Sequence, residues 1–187
     1  MSRLVPDYMF YSYREVTPVL LSSIGVRALL LDIDNTLAPY EQPDPDADNL
    51  AWFSSMKQAG IRMAFVSNNH APRVERFNRE LGLPFFTESG KPGTRNIRRA
   101  MEVLGVTAEE TAVLGDQLLT DALAGKRAGL RTIIVPPIKD RTDAFFRFKR
   151  WIERPFNRKY MKLHPEFRYP DIYRGDWQST VSGKEKP

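Results

Sequence analysis

Two aspartates, Asp32 and Asp34, stand one residue apart at the end of the apolar run 26–31. Carboxylates there are costly unless something compensates them. A metal, a phosphate with its counter-charges, or solvent at a sheet edge could each do so. Ser67 and Asn68, then Asp116, also follow short apolar runs, and Lys91 stands a little past another. Together these residues have the parts for moving a phosphoryl group to water: a nucleophile, a proton donor and cationic groups. Asp32 is the candidate nucleophile, forming an aspartyl-phosphate. Asp34 is the candidate acid that protonates the leaving oxygen and then activates water. Lys91 supplies positive charge, and Ser67 and Asn68 are candidate phosphate-binding residues. Two carboxylates would repel a phosphate, so a divalent cation is expected on Asp32, Asp34 (through its backbone carbonyl) and Asp116. Mg2+ suits such an all-oxygen site. Asp121 could orient Lys91 or hold a metal-bound water. A calcium loop also begins D-x-D, but here its sixth position is Leu37, not Gly, and its twelfth is Pro43, not Glu.

Plainer roles compete at several of these positions. Thr36 reads as a cap for the turn after the strand and at most a supporting residue of the site. Ser67 could cap a helix while also binding phosphate. Asn69 reads as a cap and His70 as a surface residue.

Bringing these residues to one place requires strands that end together. Strands are predicted over 27–31, 61–66, 84–87, 111–115 and 131–135, with helices over 47–59, 71–81, 93–104 and 119–128. Gly60, Gly82, Gly105 and Gly129 stand just past the helix ends. Alternating strands and helices of this length argue an α/β fold, a Rossmann-like doubly wound parallel sheet. In such sheets ligands bind beyond the carboxyl ends of the strands, where Asp32, Asp34, Ser67, Asn68 and Asp116 sit, with Lys91 a little past a strand and Asp121 on the helix that follows.

The 187-residue chain has room for one sizeable α/β domain. It has no Cys, hence no disulfide framework and no thiolate metal site. No apolar run approaches a spanning helix and the first residues lack a signal-like apolar core. A soluble cytoplasmic protein is expected. Charge is uneven: residues 1–138 carry 15 basic against 16 acidic side chains, and residues 139–168 carry 10 against 4. The expected division is therefore a catalytic domain over 1–138 and a basic aromatic extension over 139–187, poorly ordered after about 165. The catalytic domain alone is expected to hydrolyse a small phosphomonoester. In the extension, a helix would put Phe145, Phe148 and Ile152 near one face, with Phe146 and Trp151 beside it. That face could dock on the domain, on an anionic membrane, or on nucleic acid. Pro155 is expected to end the helix after about three turns.

The segments "LDIDNTL", "VSNN", Lys91-Pro92 and "GDQLLTD" resemble, in order, the four motifs of the haloacid dehalogenase-like superfamily. The resemblance spans residues 28–121 and implies the roles given above for Asp32, Ser67, Lys91 and Asp116, with Mg2+ as cofactor. Aspartate at position 34 resembles the phosphatases of that superfamily. Its cap domains are inserted between the first and second or the second and third motifs. Neither gap is long enough here, so the site is expected to be open and the substrate large. "PDYMFYSYREV", "VSNNHAPRV" and "ESGKP" are similar to the YqeG-like class IIIA phosphatases and, through them, to mitochondrial-type phosphatidylglycerophosphate phosphatases. That likeness implies a lipid phosphomonoester as substrate and peripheral association with the inner face of the membrane. A soluble or nucleic-acid phosphomonoester, or a nucleic-acid- or ribosome-binding protein with weak catalysis, is the alternative.

Overall fold

The computed structural model describes residues 4–139 and 144–167. Six parallel strands form one sheet in the order β1-β6-β5-β2-β3-β4: β1 Tyr8–Met9, β2 Ala28–Leu31, β3 Arg62–Val66, β4 Phe85–Phe86, β5 Thr111–Gly115 and β6 Arg131–Ile134. Strand order runs outward from β2 in one direction through β3 and β4, and from β5 in the other through β6. The reversal between β2 and β5 opens a crevice at their carboxyl ends. Leu31 pairs with Phe65 on β3 and Leu114 on β5, so Asp32, Ser67 and Asp116 leave the sheet side by side.

Alternation along the strands divides the core into two layers. Leu29, Leu31, Met63, Phe65 and Leu114 face one side with Trp52, Phe53 and Met56 of α2 (Ala47–Gln58) and Val74 and Phe77 of α3 (Ala71–Asn78). Leu30, Ala64, Val66 and Val113 face the other, against Ile97 and Ala100 of α4 (Arg95–Leu104) and Ala124 of α5 (Leu123–Ala128). Edge-to-face rings run through the first layer, Phe53–Phe65 at 5.8 Å and Phe65–Phe77 at 5.9 Å between centroids. Only α2 lies between β2 and β3, and only α3 between β3 and β4, so no cap domain is inserted.

The sequence pattern locates five of the six strands. It misses β1 and the short helix α1 (Pro18–Ser23), although Thr17 accepts from Leu20 N–H at 3.2 Å and Pro18 opens the first turn. The predicted helix 71–81 stops at Asn78, because the Asn78 side chain bonds both the N–H and the carbonyl of Leu83 and closes the turn. The predicted helix 119–128 is two pieces, a wide π-type turn over Leu118–Ala122 and then α5.

The largest correction concerns α6 (Ala144–Leu163), which runs through Pro155 for 20 residues. Proline removes one helical donor, but Pro155 is on the solvent side, where water can satisfy the freed carbonyl. Tyr160 beyond it is buried with Val5, Met9, Leu118, Ile134 and Phe167, and this packing holds the second half of the helix. The face that docks is not the aromatic one. Arg150, Glu153, Asn157 and Tyr160 form the inward stripe, while Phe148 and Trp151 stay 57% and 63% exposed. The side chains of Phe145 and Phe146, and the tail from 168 on, lie outside the described residues. No described helix is long and apolar enough to cross a membrane.

Candidate active site

Asp32 follows β2 and its N–H bonds the Leu114 carbonyl at 3.0 Å, which ties the residue to β5. Lys91 lies 59 residues away in sequence, yet its Nζ donates to Asp32 Oδ1 at 2.8 Å and to Asp121 Oδ1 at 2.6 Å. The lysine is brought there by Asn68. Asn68 Oδ1 accepts from Lys91 N–H and Ser89 Oγ, both at 2.8 Å, and its Nδ2 donates to the Lys91 carbonyl at 3.1 Å. Ser67 is buried beneath, its Oγ accepting from Asn69 N–H at 3.1 Å.

Asp34 is held on both oxygens. Asn69 Nδ2 donates to Oδ2 at 2.8 Å and Arg73 Nε to Oδ1 at 3.1 Å. Asp32, Asp34, Ser67, Asn68 and Lys91 line one cavity of about 260 Å³, with Asn35, Tyr40, Asn69, Gln117, Thr120 and Lys149. Asp116 and Asp121 are buried behind it. Thr36 is not brought to this cavity. The turn is closed by backbone bonds, with Asn35 at φ +62° and three N–H groups on the Ile33 carbonyl, so no donor is left for the threonine hydroxyl to cap. Its Oγ1 is buried without a partner beside a separate cavity of about 200 Å³. His70 is exposed and meets Glu88 at 3.0 Å.

Three residues that matter here were not found from the sequence. Asn69, read as a cap, orients Asp34. Arg73 lies inside a helix and carried no motif. Arg150, to which the sequence assigned no role, is buried with Nη2 on Asp116 Oδ2 at 2.6 Å and Nη1 on the Asp116 carbonyl at 2.9 Å. The spacing 150, 153, 157, 160 was the available signal, a polar stripe at helical period.

Asp32, Asp116 and Asp121 each place a carboxylate oxygen within 4.8 Å of the others. Burial pushes the Asp32 carboxyl up to about 8; Lys91 pulls it down, and Asp121 and Asp116 push it back up. Burial likewise pushes Asp116 up to about 6 against the pull of Arg150. For Lys91, burial favours the neutral amine, but Asp121 and Asp32 outweigh it and raise the pKa above the ordinary lysine value. Four buried carboxylates, Asp32, Asp116, Asp121 and Glu153, meet two buried cations, Lys91 and Arg150. Among the described residues, the buried carboxylates of this cluster outnumber its buried cations. Asp116 Oδ1 is also buried with no hydrogen-bond partner. An all-oxygen group of buried carboxylates with an unpartnered oxygen fits a divalent ion such as Mg2+.

Residues 40–129 match the haloacid dehalogenase-like hydrolase family. Over 150 residues the chain is 37% identical to the probable phosphatase YqeG of Bacillus subtilis (strain 168), covering 80% of this chain and 87% of that protein. A 52-residue stretch, 28% of this chain and 20% of the other, is 48% identical to the ribonucleotide monophosphatase NagD of Escherichia coli (strain K12). The solved structure of NagD from E. coli K-12 superimposes with a TM-score of 0.50 at 14% identity, covering 62% of this chain and 90% of that one. An uncharacterised protein from Listeria monocytogenes serotype 4b does so with a TM-score of 0.50 at 16% identity, covering 63% and 85%. The structures speak to the fold; the long match to YqeG settles descent, and the chain belongs to the haloacid dehalogenase-like hydrolases.

Proposed function

We propose that the chain is a phosphatase that hydrolyses a phosphomonoester through an aspartyl-phosphate on Asp32. The observation that carries this is Lys91 bridging Asp32 and Asp121 at the carboxyl end of the central strand, with Asp116 beside them. An Asp32 carboxylate oxygen forms a bond to phosphorus as the bond to the alcohol oxygen breaks. Asp34, aimed into the cavity by Asn69 and Arg73, gives its proton to that oxygen. The alcohol leaves, Asp34 takes a proton from water, and the resulting hydroxide releases phosphate and restores Asp32. Lys91, the Asn68 loop and Ser67 hold the phosphate oxygens. Bound at Asp32, Asp34 and Asp116, Mg2+ would supply the positive charge that lets a dianionic phosphate approach these carboxylates.

The substrate we propose is phosphatidylglycerophosphate, cleaved to phosphatidylglycerol. The likeness to YqeG-like phosphatases supports it, as do the absence of an inserted cap and the outward Phe148–Trp151 pair, stacked at 6.1 Å beside the cavity-lining Lys149. The enzyme would then work at the inner face of the membrane, held there by the basic extension over 139–187. A soluble phosphomonoester is the second reading, favoured by the local match to a ribonucleotide monophosphatase. Phosphate release from phosphatidylglycerophosphate in mixed micelles, from nucleoside monophosphates and from p-nitrophenyl phosphate tests both. Asp32→Asn should abolish release from every substrate the wild type cleaves, because an amide cannot form the phosphoenzyme. Wild-type turnover by Asp32→Asn would end the mechanism; turnover of nucleotides alone would end the lipid substrate.

A further inference from the structure

The inward stripe of α6 grips the loop after β5 at three points. Arg150 donates to the Asp116 carboxylate at 2.6 Å and to its main-chain carbonyl at 2.9 Å. Glu153 accepts from Arg150 Nη1 at 3.0 Å through one oxygen and from Leu119 N–H at 3.1 Å through the other. Leu119 lies in the π turn that carries Asp121, and Asp121 holds Lys91. Arg150 is 5% exposed and Glu153 1%. A guanidinium that only neutralised Asp116 would need the carboxylate alone. This one also takes the carbonyl of the same residue, so its planar fork fixes main chain and side chain together. It engages Oδ2 and leaves Oδ1 buried without a partner, on a residue whose carboxylate clusters with those of Asp32 and Asp121.

We propose that Arg150 and Glu153 are positioning residues of the active site. They set Asp116, and the 116–121 loop that carries Asp121, so that an Asp116 carboxylate oxygen stands beside that of Asp32 at the divalent-cation site while Asp121 holds Lys91. The proposal rests on the cation reading above. It runs against the expectation that residues 1–138 suffice for hydrolysing a small phosphomonoester, because without α6 Asp116 would lose both of its Arg150 bonds.

The two effects of Arg150 on a cation oppose each other. Its charge repels the ion, and its geometry prepares the ligand; positioning requires geometry to win. The test is calorimetric titration of Mg2+ into the full-length chain, wild type against Arg150→Met and Arg150→Lys. The values of kcat and KM for p-nitrophenyl phosphate are measured on the same samples. Residues that orient metal ligands typically contribute about 10–100-fold in affinity. Arg150→Met should weaken Mg2+ binding by at least about tenfold and lower kcat more than it raises KM. Arg150→Lys should not rescue either, since an ammonium lacks the planar fork that fixes the carboxylate and the carbonyl of Asp116 in one geometry. Glu153→Gln, which keeps an acceptor for Leu119 N–H, should bind Mg2+ more tightly than Glu153→Ala. A wild-type chain that binds no Mg2+ removes the cation reading and this proposal with it. A wild type that binds, with Arg150→Met binding as tightly or more tightly, overturns positioning alone. Wild-type affinity in Arg150→Lys does the same, and that variant decides the matter if the Met variant does not fold.

Discussion

The Asp121 carboxylate packs against the backbone of Gly115: a Cβ at position 115 would stand 2.3 Å from Asp121 Cγ. No side chain can share that space, so the last residue of β5 must be glycine for Asp121 to reach Lys91. Gly115→Ala should therefore displace Asp121 and release Lys91 from one of its two partners. Overpacking of this kind costs about 1–3 kcal/mol. A lower melting temperature and a much lower kcat on p-nitrophenyl phosphate are expected. Wild-type kinetics in a folded Gly115→Ala variant would mean that Asp121 is dispensable.

Asp34 and its two partners separate chemistry from orientation. Asp34→Asn removes the proton carrier and should slow turnover by roughly 10²–10⁴-fold. Arg73→Met keeps the carboxyl group but removes its Nε donor at 3.1 Å. Its loss should be smaller, about 10–100-fold, the scale of a misplaced group rather than a missing one. Single-turnover phosphate release measures both. Arg73→Met as slow as Asp34→Asn would give the arginine a direct part in the reaction.

The buried acids make stability depend on pH in the absence of metal. Asp32 at about 8 and Asp116 at about 6 lie above the ordinary value near 3.9. The folded state thus binds more protons than the unfolded chain between these values, and stability falls as pH rises. Their contribution is fullest below about pH 4 and is lost as pH passes 6 and then 8. Lys91, raised above its ordinary value, loses its contribution only above about pH 10. Binding of Mg2+ to the ionised carboxylates opposes the loss. Thermal unfolding in EDTA and in Mg2+ should show a metal-induced rise in melting temperature that is larger at about pH 8.5 than at about pH 5.5. A rise that shrinks with pH would exclude these carboxylates as the ligands.

Membrane docking would use the outer face of α6. Residues 139–168 have a net charge of +6, and each basic group near an anionic surface contributes about 1 kcal/mol. Phe148→Ser with Trp151→Ser should reduce co-sedimentation with phosphatidylglycerol vesicles. It should also lower the ratio of lipid to p-nitrophenyl phosphate turnover about tenfold, the equivalent of 1.4 kcal/mol. Added salt should weaken wild-type binding as charges are screened. A wild type that ignores anionic vesicles and binds RNA with a steep salt dependence would move the surface to nucleic acid.

Much of the site was legible because its residues stand where strands end. Asp32, Ser67 and Asp116 each follow a run of apolar residues, and a parallel sheet with paired registers must bring such ends together. Lys91 could be placed by its motif, though not the Asn68 clamp that holds it. Arg150 was hidden for a physical reason. In a helix with aromatic and basic residues interleaved, hydrophobicity predicts that the aromatic face docks. Here the helix meets polar groups on the domain, the Asp116 carboxylate, the Leu119 N–H and the Met9 N–H, on a face other than that of Phe148 and Trp151. Asn69 and Arg73 were hidden similarly, since nothing local says that a cap and a mid-helix arginine reach Asp34. Thr36 marks the converse error, a residue close in sequence to the nucleophile and turned toward another cavity.

Tyr160 has a consequence away from catalysis. Its hydroxyl accepts the Met9 N–H at 2.9 Å, a donor that points away from β6. An open sheet edge is a template on which another chain can add a strand, and proteins that leave one bare risk aggregation. This sheet ends in two-residue strands at both margins, and on the β1 side a tyrosine already occupies the outward donor. The helix that holds Asp116 thereby also covers an edge donor on which another strand could pair. Shortening the chain before Tyr160 would bare that donor while leaving Arg150 and Glu153 in the chain.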